Sequence, residues 1–148
     1  MTLRVGTFAS LLVMAASLSG MPSAAADPAD GLTEALMAVR GVACGPLKSD
    51  PIVQQTAAEV NDSTDQWINH TARAAPVSEA LPLLHDLGYQ GSKATIVHGA
   101  GRNSADAVKA LMLQGYRSIP DCSYRDFGAS MIYNDAKGVF LTIVVLAA

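Results

Sequence analysis

Phe140-Leu141-Thr142-Ile143-Val144-Val145-Leu146 is an apolar run with a single threonine in it. It is far too short to cross a bilayer. A run without polar alternation predicts a central β-strand covered on both faces. Phe127 to Tyr133, just upstream, reads as a second strand. The two are joined across Asn134-Asp135-Ala136-Lys137-Gly138, where Gly138 is available for a positive φ in a hairpin loop.

Farther out, Ala94-Thr95-Ile96-Val97-His98 is a β-branched run bounded by Gly91 and Gly99, which predicts a strand. Ser104 is placed to cap the next helix, with Asp106 at its positive end, Ala107, Val108, Leu111 and Met112 as apolar positions, and a stop at Gly115. The segment from Tyr116 to Arg125 reads as irregular. Near the start, Asp30 is the expected cap of a helix reaching Cys44, with Leu32, Ala35, Leu36 and Val39 on one face. Gly45-Pro46 stops it. Asp50-Pro51 predicts a new helix, Asp as N-cap and Pro at its first position. Its stripe holds Ile52, Val53, Thr56, Ala57, Val60 and Trp67, so Trp67 is assigned to the core. Thr71 to Val77 is a loop, and Pro82 to Leu87 a short helix ended by Gly88. The order α, α, short α, β, α, β, β implies an α+β domain, a small sheet with helices on its faces.

The chain has 148 residues and a formal net charge of −3. Residues 1–26 carry one charge, Arg4, then an apolar run from Val5 to Leu18 and small residues ending in Ala24-Ala25-Ala26. That pattern reads as a secretory signal peptide cleaved before Asp27, leaving a single domain over 27–148 with no transmembrane anchor. A mildly acidic domain without a Lys/Arg cluster is a poor nucleic-acid binder. Cys44 and Cys122 are the two cysteines, and in an oxidising compartment an isolated pair is most simply one disulfide. Neither has a neighbour at metal-ligand spacing.

Ile68-Asn69-His70-Thr71, Leu87-Gly88-Tyr89, Ala94 to Gly99, Ala107-Val108, Leu111-Met112, Gln114-Gly115-Tyr116-Arg117 and Phe127-Gly128 follow one another in order. This succession resembles the CAP (SCP/PR-1-like) superfamily in a compact, degenerate form. With Ala43-Cys44-Gly45-Pro46-Leu47 and Ile119 to Tyr124 it is similar to small actinobacterial exported proteins. The resemblance implies an α-β-α sandwich with a small antiparallel sheet covered by helices. It also implies a surface cleft where the family presents two His and two Glu, a set able to hold a divalent metal. Here His70 keeps the first histidine, whereas Ala94, Gln114 and Tyr116 stand at the other three positions. One donor of four survives, so the expectation is a relic cleft lined by His70, Ala94, Gln114 and Tyr116, with no metal, no cofactor and no catalytic residue.

A serine hydrolase is disfavoured because no G-x-S-x-G elbow is present and Ser104 has a capping role. A hydrolase with His70 as general base would need Glu59, Glu79 or Asp65 to approach it. The segment His98 to Ser104 has two readings: an anion cradle of glycine N–H groups with Arg102, or an ordinary strand-to-helix turn. Asn61-Asp62-Ser63 and Asn69-His70-Thr71 fit the N-glycosylation spacing, coincidental in a bacterial protein. The expected function is a secreted, non-catalytic module binding an extracellular ligand or surface partner, lipid among the options. Its rivals are an extracellular hydrolase and a cell-envelope display or adhesion protein.

Overall fold

The computed structural model describes residues 27–148, so the signal-peptide reading of residues 1–26 lies outside them. The elements are α1 (Pro28–Ala43), β1 (Lys48–Ser49), α2 (Pro51–Ile68), α3 (Ala80–Asp86), β2 (Ala94–Gly101), α4 (Ser104–Gln114), β3 (Asp126–Asn134) and β4 (Val139–Ala147). They build one four-stranded sheet in the order β1-β3-β4-β2.

β4 is a central strand, as its composition requires. It pairs antiparallel with β3 and with β2, so that Val144 stands opposite Ala129 on one side and Val97 on the other. Its side chains divide by parity. Val144 and Leu146 pack with Leu32, Leu36 and Leu111 from α1 and α4. Ile143, Val145 and Ala147 pack with Val53, Ala57, Val60, Ala80 and Leu84 from α2 and α3. The result is an α-β-α sandwich. Full burial of each Val, Leu or Ile in these layers is worth about 1.5–3 kcal/mol relative to exposure.

The hairpin turns as its sequence predicts: Gly138 has φ +65°, and Asn134 Oδ1 accepts from the Lys137 N–H at 2.7 Å. Asp50 caps α2, its Oδ1 accepting from Ile52 and Val53 N–H at 2.9 and 3.1 Å. Two other caps are shifted from expectation. Asp27, not Asp30, caps α1 by accepting from the Ala29 N–H, which leaves Asp30 in the first turn. Asn103, not Ser104, caps α4 by accepting from the Asp106 N–H, and Ser104 becomes the first helical residue.

The buried stripe of α1 is Leu32, Leu36 and Arg40, and Val39 is 42 % exposed. Trp67 is also corrected. It is 48 % exposed although seven residues on from buried Val60. By that point α2 has run off the sheet, because Asp65 already meets Asn134 at the last position of β3. The sheet is mixed, since two-residue β1 adds to β3 in parallel. Neither Lys48 nor Ser49 carries an apolar signal by which a strand could be read.

In the His98–Ser104 segment the strand-to-helix turn is confined to Arg102 and Asn103. Gly99, Ala100 and Gly101 continue β2 and pair with Thr142, Leu141 and Phe140. A Cβ on Gly99 would lie 2.5 Å from Ala107 O and Leu111 N, and one on Gly101 would run into the backbone nitrogen of Ala107. The glycines let α4 lie directly against the strand.

Candidate functional site: an apolar cleft at the edge of the sheet

β2 is an edge strand whose alternate residues face α2. Ile96, His98 and Ala100 from β2, with Leu141 and Ile143 from β4, form one wall of a cleft of about 610 Å³. Val60, Asn61, Thr64 and Ile68 of α2 form the other, and residues Ala75 to Ser78 of the α2–α3 loop border it. The Val77 N–H donates to Ser63 Oγ at 3.2 Å, which ties that loop to α2. The volume falls within the ~300–1,000 Å³ usual for small-molecule sites.

The cleft has few polar groups. Thr64 Oγ1 donates to the Val60 carbonyl of its own helix. Asn61 is wholly buried. Its Nδ2 donates to Ser130 Oγ at 3.0 Å and to the Leu141 carbonyl at 3.1 Å, while Oδ1 has no partner among the described residues. His98 is exposed. Its N–H donates to Gln114 Oε1 at 2.6 Å, and Gln114 Nε2 sits 3.1 and 3.0 Å from the two ring nitrogens. Gln114 thus covers part of the β2 edge, which would otherwise invite strand pairing. Among the described residues, no Lys, Arg, Asp or Glu lines the cleft.

The residues expected to form the relic cleft are not gathered here. Ala94 pairs with Ala147 at one end of the sheet, whereas α2 leads to His70 beyond the opposite end, past the Asp65–Asn134 contact. Gln114 belongs to α4, on the face opposite α2, and reaches His98 only around the β2 edge. Tyr116 follows α4, is 62 % exposed and lies under the Arg117 guanidinium. Ala94 has no donor atom and the other three are dispersed, so these positions do not fit a metal ion. Among the described residues, no group of three or more His, Cys, Asp or Glu is placed to hold one.

His70 has a local explanation. It has φ +58°, its N–H donates to the Trp67 carbonyl, and the Thr71 N–H donates to the Gln66 carbonyl. That is a Schellman ending of α2 with His70 at the left-handed position. Gly88 does the same after α3, with φ +96°. Among the described residues no carboxylate pairs with the His70 ring, and Asp65 instead accepts from Asn69 and Asn134 amides.

Asn61 is not legible from the sequence as a site residue; its only trace there is a polar side chain on the apolar stripe of α2. At the other end of the sheet a more open, more polar cavity of about 740 Å³ borders Arg40, Lys48, Tyr89, Arg125 and the disulfide. The Arg40 guanidinium is engaged by the carbonyls of Gly45, Ile119, Asp121 and Tyr124, so this cavity is the seam that holds the 119–124 loop.

No family model matches the chain, and no curated protein matches it by sequence. Two solved structures share its architecture. An outer surface protein from Borrelia burgdorferi superposes with a TM-score of 0.63 at 11 % identity, over 81 % of this chain and 91 % of that one. A cysteine-rich secretory protein from Staphylococcus aureus superposes with a TM-score of 0.58 at 15 % identity, over 82 % of this chain and 38 % of that one. The fold of residues 27–148 is CAP-like, built on an α-β-α sandwich closed by one disulfide.

Proposed function

We propose that the chain is a secreted, non-catalytic CAP-like binding module, and that its ligand site is the cleft between α2, the Ala75–Ser78 loop and the β2 edge. The observation that carries this is the chemistry of the cleft: apolar walls, a buried asparagine, and, among the described residues that line it, no acid–base pair. A general base needs an orienting partner, and His98 has only a neutral carboxamide beside it. The leader and the disulfide support export.

Native protein collected from the culture medium or envelope, extracted and read by mass spectrometry, should release a stoichiometric apolar compound. Ile96→Trp, which fills the cleft, should lose it. Turnover of ester, peptide or glycan substrates that disappears in His98→Ala would overturn the reading in favour of a hydrolase. A contiguous exposed apolar patch would favour display or adhesion as the second reading, and Val42, Leu113 and Tyr116, exposed at 91 %, 67 % and 62 %, are its candidate members. Cell-surface attachment lost in Val42→Ser with Leu113→Ser, with the cleft empty, would put that reading first.

A further inference from the structure

We propose that the carboxamides of Gln54 and Gln114 hold the two edges of the sheet closed to strand pairing and so keep the protein monomeric, the partner excluded being a second copy of this chain. An edge strand presents a row of N–H and C=O groups with which an incoming strand can pair. On β3, the two residues of β1 pair with Asp126 and Phe127, and the Asp50 N–H then donates to the Phe127 carbonyl at 3.2 Å. The next residue facing outward is Ala129. Gln54 supplies there what a strand would: its Nε2 donates to the Ala129 carbonyl at 2.6 Å and its Oε1 accepts from the Ala129 N–H at 2.9 Å. Those two bonds determine which end of the amide is the oxygen. On β2, beyond which no strand lies among the described residues, Gln114 Oε1 occupies the His98 N–H.

Gln54 comes from α2 and Gln114 from α4, so each helical layer covers one edge of the sheet. Both glutamines are exposed, so burial does not account for their placement. Glycine does. A Cβ on Gly128 would run into the Val53 carbonyl and lie 2.5 Å from Gln54 Cα, and its absence seats α2 close enough for Gln54 to reach the next residue of β3. Gly99 likewise lets α4 lie against β2 at Leu111, three residues before Gln114. A carboxamide carries the donor and acceptor of a peptide group but ends there, so it satisfies the edge without extending the ladder. The β2 edge is otherwise open to a partner: Ala100, two residues on from His98 and turned the same way, is exposed.

The test compares the natively exported protein with Gln54→Met, Gln114→Met and the double variant, since methionine keeps the side-chain length and helix propensity and removes the amide. Sedimentation reads the assembly state from micromolar to millimolar protein, and hydrogen exchange reads the Ala129 and His98 amides. The native protein should be monomeric throughout. In dilute solution the Ala129 amide of Gln54→Met and the His98 amide of Gln114→Met should exchange about ten-fold faster, the effect of losing one hydrogen bond. The double variant should dimerise as its concentration rises, with protection returning to the His98 or the Ala129 amide in the dimer. Gln55→Met controls for the added thioether, because Gln55 bonds Glu59 on the exposed side of α2, and it should stay monomeric. A double variant that stays monomeric while both amides exchange faster overturns the closing role. Unchanged exchange in the variants overturns the carboxamide bonds themselves. Dimers whose edge amides stay unprotected, dimers formed equally by Gln55→Met, or a native protein that is already dimeric overturn the proposal as well. If the double variant fails to fold, Gln114→Met, at the exposed last residue of α4, is read alone by the same criteria at the β2 edge.

Discussion

At the scale of single residues, His70 and Asn61 exchange the importance their sequence contexts suggest. His70 sits in a resemblance to a ligand set, yet its backbone places it in the left-handed region, which residues with a Cβ enter uncommonly, Asn, Asp and His more often than the rest. Its position is that of a helix terminator. His70→Gly should therefore raise stability by about 0.5–1 kcal/mol, the eased left-handed conformation outweighing the extra freedom of the unfolded chain. Denaturant titration checks this, and ligand binding in the cleft should not change. Asn61 reads in sequence as an ordinary polar helix residue with a coincidental glycosylation spacing. Its total burial depends on Ser130 and Leu141, which lie 69 and 80 residues away in sequence, and nothing local announces that.

At the scale of elements, most helices and strands are readable because caps, stops and apolar periods are local. Asp50-Pro51 and Gly88 act in the structure as their chemistry predicts. β1 cannot be read this way, because its two residues become a strand only by lying beside Asp126 and Phe127. The same holds for the third position of the α1 stripe. Arg40 is 3 % exposed, and its guanidinium binds the carbonyls of the irregular 119–124 segment in place of an acid. Arg40→Met keeps the stem but leaves these carbonyls without their donor. It should cost about 3 kcal/mol or more, read by chemical denaturation, with the 119–124 amides losing exchange protection first.

Tyr89, just after α3, gives the element contacts a pH signature. Burial first, and then donation of its O–H to Asp126 Oδ2 at 2.7 Å, raise its pKa well above the ordinary phenol range. The protonated phenol is the form that makes the bond. Its contribution is therefore complete below the unfolded value of about 10 and is lost as the pH rises through the higher native value. Ultraviolet difference titration should show one phenol ionising well after an ordinary tyrosine, and Tyr89→Phe should abolish that late step. The opposite sign applies to Asp121, exposed and held well below the usual carboxylate range by the Lys93 ammonium and then by Ser123. Its contribution is lost only as the solution becomes strongly acidic, and solvent screening keeps it small.

At the scale of the molecule, the Cys44–Cys122 bond ties the end of α1 to the segment preceding β3, across 78 residues with Cα atoms 5.5 Å apart. It bounds β1, α2, α3, β2 and α4 within one closed loop. Replacing both cysteines by alanine should cost about 2–5 kcal/mol. Comparing oxidised protein, reduced protein and the double variant by denaturation tests this, and the last two should coincide. The layering of the molecule is already written in the chain. An apolar strand without alternation must be covered on both sides, and capped amphipathic helices supply the cover, so an α+β sandwich follows from patterns a few residues long. The pair of cysteines is legible for the same reason of simplicity, there being no other cysteine for either to join. The site, by contrast, exists only once the chain has folded. Folding separates His70, Ala94, Gln114 and Tyr116 between ends and faces of the sheet, brings Gln114 around an edge to His98, and sets Asn61 at a cleft whose walls come from α2, β2 and β4. Those are relations between elements distant in sequence, fixed by register and by where each helix outruns the sheet, and no local pattern of residues encodes them.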